Sequence, residues 1–326
     1  MKRNTSHTAL IAGAAGLVLA ASACSSEGGR DVAEEGVDTP ELTIAMITHE
    51  VQGDTFWDII RSGAEDAAAK SNITLEYAAD PEASEQAGLI QNAVDRGVDG
   101  IAVTLSKPDA LEGAIADAQE AGIPVVAFNS GIEDWADMGV QQYFGTDEHL
   151  AGTAFGERLN EVGSEKALCV IQEQGHVALE TRCASLGEAF EGESEVLYVD
   201  SANMPEVRSG ISAKLQQDDE IDYVVTLGAP IAMTAIDAID DAGSDATVAT
   251  FDTNSDLVGA LQEGVVQWAV DQQPYLQGYL AVDSLWLYNT NGNTSGGGTE
   301  PVLTGPAFID ETNVDQVAEY AERGTR

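Results

Sequence analysis

From Leu42 onward the chain alternates short, unbroken apolar runs with stretches of helical spacing, and no other feature constrains the fold as much. Leu42 to Thr48 reads as a strand, and residues 55–71 follow with Phe56, Ile59, Ile60, Ala64, Ala67 and Ala68 at helical spacing. The pattern continues through strand 73–77, helix 84–96, strand 100–104, helix 108–121 and strand 124–128. A second set starts after Gly145, with helix 147–162, strand 166–171, helix 178–190, strand 195–199 and helix 205–217. Strand 221–227, helix 231–242, strand 247–251, helix 257–262, strand 265–270 and helix 274–289 complete it. A Gly-, Asn-, Ser- and Thr-rich loop over 291–299 precedes a strand near Val302 and a helix over 314–322. Strands that are apolar at consecutive positions belong to parallel sheets covered by helices on both faces. The expected class is α/β, with two doubly wound parallel-sheet lobes.

The N-terminus carries different information. Met1-Lys2-Arg3 precedes an apolar run from Ala9 to Ala21, too short for a permanent bilayer span, and small residues follow. Residues 1–23 read as a secretory signal peptide. Cys24 directly after Ala21-Ser22-Ala23 resembles a bacterial lipobox, with Ala21 where Leu is commoner. On that reading Cys24 is lipidated and anchors an extracytoplasmic protein to the cell membrane. Residues 24–40 are small, acidic and turn-forming, the composition of a flexible tether.

The charge excludes several classes of partner. Fourteen Lys and Arg against 56 Asp and Glu give a net charge of −42. Nucleic-acid binding needs clustered cations to replace counterions, and an anionic membrane surface repels such a chain. With Cys24 set aside, Cys169 and Cys183 are a possible disulfide in an oxidising compartment, the alternative being two buried thiols.

In open α/β sheets ligands bind beyond the carboxyl ends of the strands. Those positions hold His49, Asp54, Phe56 and Trp57; Asn129 and Ser130; His176 and Arg182; Gly228; Asp252 and Asn254; and Asp271 and Gln272. Amides, carboxylates and arginine suit hydroxyl groups, and aromatic faces suit the C–H face of a sugar ring. No nucleophile–base pair stands out. His49 and His176 lack the tight spacing of zinc ligands, so no metal is expected; they are candidate ligand contacts. No cofactor is implied.

Here the chain resembles the type I periplasmic sugar-binding proteins, the ribose-binding-like solute receptors of ABC importers. The likeness runs from about Leu42 to about Pro306 and rests on Gly53-Asp-Thr-Phe-Trp, Asp99-Gly-Ile-Ala-Val, Ala121-Gly-Ile-Pro-Val-Val-Ala-Phe-Asn, Arg182-Cys, Phe251-Asp-Thr-Asn and Asp271-Gln-Gln-Pro-Tyr-Leu-Gln-Gly. The resemblance implies two lobes joined by a three-segment hinge, with crossings near Gly145, near Asp271–Gln273 and near the Gly-rich stretch ending at Pro301. Lobe one would hold 41–143 plus 274–299, and lobe two 144–273 plus 300–326. It further implies ligand contacts at Asp54, Phe56, Trp57, Asn129, Arg182, Asp252 and Gln272. Phe56 and Trp57 also begin an apolar stripe, and Phe56 is the one read as facing the ligand. Asp271 is adjacent to Gln272 and should point the opposite way in a strand, which suits a hinge position. Asn129, Ser130 and Gly228 depart from the ribose-type pattern of Asp, Arg and Asn, which argues against ribose itself.

The leading expectation is a monomeric receptor that captures a neutral sugar or polyol by lobe closure and delivers it to an ABC permease. The alternatives are a receptor that passes an autoinducer or nucleoside signal to a membrane partner, and an extracellular carbohydrate-active enzyme drawing paired carboxylates from Glu50, Asp54 and Asp252. A repressor of similar lobe fold is excluded by the export signal, the acidity and the missing helix-turn-helix.

Overall fold

The computed structural model describes residues 39–326; the signal segment, Cys24 and the tether as far as residue 38 lie outside the described residues. The chain begins with β1 (Leu42–Thr48), α1 (Thr55–Ser71), β2 (Ile73–Ala79), α2 (Ala83–Arg96), β3 (Gly100–Val103), α3 (Pro108–Glu120), β4 (Val125–Phe128) and β5 (Tyr143–Thr146). It continues with α4 (Glu148–Val162), β6 (Lys166–Ile171), α5 (Val177–Ala189), β7 (Glu193–Tyr198), α6 (Met204–Gln217), β8 (Tyr223–Thr226), α7 (Ala229–Ala242), β9 (Thr247–Phe251), α8 (Ser255–Gln262) and β10 (Val266–Asp271). The last part holds α9 (Pro274–Asn291), a 3-10 turn (Ser295–Gly298), β11 (Val302–Gly305), β12 (Ala307–Asp310) and α10 (Val314–Glu322).

Two six-stranded sheets result, ordered β11-β5-β4-β3-β1-β2 and β12-β10-β9-β8-β6-β7. Among the described residues every strand pairing is parallel except β10 with β12. The consecutive apolar residues of the strands have a direct cause. In β1, Ile44 and Met46 pack under α1 and α9 with Ile60, Ala64 and Leu285, whereas Ala45 and Ile47 face Ile90, Leu111 and Ile115 of α2 and α3. Both faces are covered, so alternation has no role; truncating any such Ile or Leu to Ala would cost about 2–5 kcal/mol.

α9 belongs with the first sheet, and glycine lets it in. A Cβ on Gly63 would strike the Tyr275 carbonyl, and one on Gly278 would strike the Ile60 carbonyl. The backbones of α1 and α9 therefore touch, the middle of α1 against the first turns of α9.

Three segments pass between the sheets. The first follows β5, which lies in the first sheet while α4 packs on the second. The second is Gln272–Gln273 between β10 and α9, with Gln273 in the left-handed region at φ 54°. The third is the Gly305-Pro306 step between β11 and β12, a cis peptide. This last position corrects the expectation that 300–326 belongs wholly to the second lobe. β11 extends the first sheet in register Val302↔Phe144, because the free edge of β5 offers unpaired donors and acceptors there. The same pairing moves 144–146 to the first sheet. At Gly305 the crossings press together: a Cβ there would lie 2.8 Å from the Asp271 carbonyl and 3.1 Å from Thr146 Oγ1. Thr304 Oγ1 donates to the Gln272 carbonyl at 2.7 Å, and Gln273 Nε2 donates to the Thr304 carbonyl at 2.6 Å.

Candidate functional site

The carboxyl ends of both sheets meet across one cavity of about 60 Å³. From the first sheet it is lined by His49, Val51, Asp54, Phe56, Trp57 and Asn129. From the second come Gln172, Glu173, His176, Leu179, Arg182, Ser201, Leu227, Gly228, Asp252 and, at the crossing, Gln272. Nine of the ten ligand-contact candidates read from the sequence therefore share one wall-to-wall space. Asp271 does not reach it: the carboxylate is buried at the hinge, accepting from Arg326 Nε at 2.5 Å and from the Gln273 amide at 2.7 Å. Adjacent strand residues point to opposite faces, and Gln272 took the cavity side.

Asp54 caps α1, accepting from the Phe56 amide at 3.1 Å, and so aims the first turn of that helix at the cavity. Both Phe56 and Trp57 line it, with their rings edge-to-face at 5.3 Å, so the choice between them does not arise. Burial pushes the Asp54 carboxyl up to about 6, against the pull of the Phe56 N–H. Asn129 follows β4 in the left-handed region at φ 68°, and its Nδ2 donates to Gln277 Oε1 at 3.3 Å. Asp252, after β9, has φ 66°. Of the four non-glycine residues with positive φ among the described residues, two line the cavity and Gln273 stands at the hinge. Holding them there costs about 1–3 kcal/mol each unless the side chain bonds locally, and such positions concentrate at functional sites.

The second wall is built around Arg182. Its guanidinium donates Nε to Glu148 Oε2 at 2.5 Å, Nη2 to Glu148 Oε1 at 3.1 Å, and Nη2 to Gln272 Oε1 at 2.7 Å. Gln272 Nε2 donates onward to Asp252 Oδ1 at 2.5 Å. Behind them the guanidinium lies over the Phe251 ring, 4.7 Å from its centroid. Burial pushes the Asp252 carboxyl up to about 7, although Arg182 and the Gln272 amide pull it down. A disulfide joins Cys169 of β6 to Cys183, the residue after Arg182, with Cα atoms 5.9 Å apart. It pins the Arg182 turn of α5 to a central strand.

The cleft is closed. Lys107 Nζ is 3.3 Å from Glu173 Oε1, the Val177 amide donates to the Ser106 carbonyl at 3.0 Å, and Asn254 Nδ2 donates to Thr55 Oγ1 at 3.2 Å. His49 and His176 meet with their Nε2 atoms 2.9 Å apart. Burial, reinforced by Lys107, lowers His49 to about 3. Burial also lowers His176 well below its usual value, with His49, Arg182 and Lys107 adding to the effect. His49, Glu173 and His176 bring possible metal-ligating atoms within 4.8 Å of one another. Yet His176 Nδ1 caps α5 by accepting from the Ala178 amide at 3.2 Å, so the Nε2 that faces the cluster carries the proton.

Several lining residues were missed. Gln172 and Glu173 follow β6 immediately, and Ser201 follows β7, so the strand-end rule reaches them. Gln172 also accounts for Gly228: a Cβ on Gly228 would lie 3.3 Å from Gln172 Nε2, which donates to the Leu227 carbonyl at 3.4 Å. The amide of Gln172 occupies the space next to the glycine. Glu148, which holds Arg182 without lining the cavity, is fully buried at the first position of α4, and nothing in the sequence marks it.

The comparisons with known proteins agree with this geometry. A family model described as a periplasmic binding protein domain matches residues 44–293. A carbohydrate transporter from Acidothermus cellulolyticus 11B, solved in complex with myo-inositol, is 57% identical with a TM-score of 0.87, over 88% of this chain and 100% of that one. The xylose/arabinose-binding protein XylF of Sulfolobus acidocaldarius is 25% identical over 298 residues, 84% of this chain and 72% of its own. The ribose import binding protein RbsB of Bacillus subtilis is 23% identical over 252 residues, 75% and 80% of the two chains. With two parallel-sheet lobes, three crossings and a cavity between the strand ends, the chain belongs to the type I periplasmic binding protein family.

Proposed function

We propose that this protein captures a neutral, ring-shaped polyhydroxy compound, a cyclitol or a monosaccharide, by closing its lobes on it, and presents the closed form to an ABC import permease. The observation that carries this reading is the pairing of two unlike walls in one interlobe cavity. Arg182, Gln272 and Asp252 form a hydrogen-bonding wall in which Glu148 already compensates the arginine charge, and Phe56 and Trp57 form an apolar wall opposite. Such a pair of walls suits a ring with hydroxyl edges and C–H faces, and the charge compensation suits a neutral one. The inositol-bound relative makes myo-inositol the first compound to test. Asp54, Asn129, His49 and His176 complete the wall around the ligand in this reading.

The functional lobes are 41–146 with 274–305 and 147–273 with 306–326. Cys24 carries a lipid that keeps a monomeric receptor beside its permease, with the tether as slack. A thermal-shift and calorimetric panel of inositols, pentoses, hexoses and linear polyols tests the capture. A bound compound at a hundredfold excess over its Kd adds about 2.7 kcal/mol of stability, a rise of several degrees in Tm. A panel in which nothing raises Tm overturns the reading. Release of a Cys24→Ser variant from the membrane fraction, with ligand binding intact, tests the anchor.

A further inference from the structure

The His49–His176 contact joins the lobes, and its hydrogen bonds leave no ring nitrogen free. Nδ1 of His176 accepts from the Ala178 amide at 3.2 Å, so a neutral His176 carries its proton on Nε2. That proton is donated to His49 Nε2 at 2.9 Å. His49 then carries its own proton on Nδ1, directed at Thr104 Oγ1 at 2.7 Å, an oxygen that the His49 and Gln86 N–H groups also approach at 3.2 Å each. The chain runs from a helix start in the second lobe to a strand end in the first, and both rings are buried. A proton added to His49 would set Nε2–H against Nε2–H. A proton added to His176 would set Nδ1–H against the Ala178 N–H. The first breaks the contact between the lobes, and the second breaks the cap of α5 that sets the His176 ring in place for it.

The surroundings discourage an added charge. Lys107 at the start of α3 and Arg182 on α5 both bear positive charge towards the pair. Glu173 in the β6–α5 loop is the nearby anion, and it is engaged by Lys107 at 3.3 Å. Trp57 on α1 packs edge-on against His49 at 4.8 Å and shields it from water.

We infer that His49 and His176 are positioning residues for closure, a lock whose full set of hydrogen bonds forms only while both imidazoles are neutral, so that its contribution to ligand retention weakens as the medium acidifies. The inference rests on the capture reading above. In an open cleft both rings meet water and titrate near the ordinary value of about 6.5. In the closed form both are held lower, His49 at about 3. Opening therefore takes up protons below about pH 6.5, and acid favours the open form. Between pH 7.5 and 5.5 each histidine contributes about tenfold to the loss of affinity, and the pair about a hundredfold. Asp54 and Asp252 act in the opposite direction: their closed-state values are raised, so acid favours closure through them. The wild-type profile alone mixes the two effects, and removing the imidazoles separates them.

The test is calorimetric titration of myo-inositol, or of whichever panel compound binds the wild type, from pH 5 to pH 8. The variants are His49→Gln, His176→Gln and the double change, since glutamine can bridge the lobes without titrating. The ratio of affinity at pH 7.5 to that at pH 5.5 should be about a hundredfold smaller in the double variant than in the wild type, and about tenfold smaller in each single one. Ratios within twofold of the wild type overturn the lock, as does an equal loss of affinity at every pH, which marks a merely structural contact. Nitrogen-15 spectra of the wild-type imidazoles need no variant. In the liganded protein at pH 5.5 they should show one Nε2–H and one Nδ1–H neutral ring for this pair, and an imidazolium at either site overturns the lock. If no panel compound binds the wild type at any pH, the capture reading fails, and the lock, which rests on it, falls with it, whereas binding with an unchanged pH ratio in the variants overturns the lock alone.

Discussion

The two walls of the cleft face the same cavity with opposite physics. The first-lobe wall is led by Phe56 and Trp57 at the start of α1, with Asp54 spent on capping that helix. The second-lobe wall is a continuous buried chain from Glu148 through Arg182 and Gln272 to Asp252. An apolar face tolerates some misplacement, because dispersion and burial are non-directional. A buried charge network does not, because each group lost leaves another unpaired. The disulfide and the Phe251 ring sit behind the network rather than behind the aromatics, where rigidity matters more. In this view the second lobe orients the ligand and the first lobe covers it.

Four changes break or sharpen this contrast. Arg182→Met leaves the buried Glu148 carboxylate without its cation and should cost about 3–5 kcal/mol of folding stability along with ligand binding; denaturant unfolding and titration calorimetry measure both. If binding survives, the polar wall does not orient the ligand. Phe56→Ala removes a cover without stranding a charge, and should cost about 2 kcal/mol of affinity, roughly thirtyfold, with the ligand's rank order among stereoisomers preserved. A changed rank order would give the first wall a role in recognition.

Asp252→Asn probes the network by pH. The folded-state value of Asp252 is raised, to about 7, so its contribution to stability is fully present below the ordinary value near 3.8 and is lost as pH rises through 7. Between those limits the wild type should lose up to about 1.4 kcal/mol per pH unit through this group. The variant lacks that slope and gains on the wild type as pH rises, as melting curves from pH 4 to pH 8 would show. Equal slopes would mean that Asp252 is held ionised by Arg182 throughout. The smallest effect is expected for Gly228→Ala, whose Cβ meets only the end of the Gln172 side chain at 3.3 Å. A shift of about 1 kcal/mol in affinity is expected, and a larger one would make the Gln172 amide a fixed part of the polar wall.

Much of the site could be read before the fold was known because a rule of topology converts strands into positions. Once Leu42–Thr48, Val125–Phe128 and Thr247–Phe251 are strands in parallel sheets, the residues after them must cluster. The rule reached Phe56, Asn129, Arg182 and Asp252, and it extends to Gln172 and Glu173 one step after β6. It did not reach β5 or β12. Both are four-residue strands, too short for their composition to separate them from connections, and β11 and β12 switch sheets within one Gly-Pro step. Sheet membership there depends on which edge was left open, a property of the assembled sheet.

The sequence by itself determined the class of fold, the strand ends that form the walls and the polar and aromatic character of each, since these follow from periodicity and residue type. Only the tertiary structure decided the partners. Glu148 and Arg182 are 34 positions apart and His49 and His176 are 127 apart. Each residue alone is ambiguous: a helix-start acid, a helix arginine, two strand-end histidines. Hydrogen bonds and ion pairs act over about 3 Å and demand direction, so their pairing is set by how two sheets and three crossings bring distant residues together, and residue order along the chain carries no record of that distance.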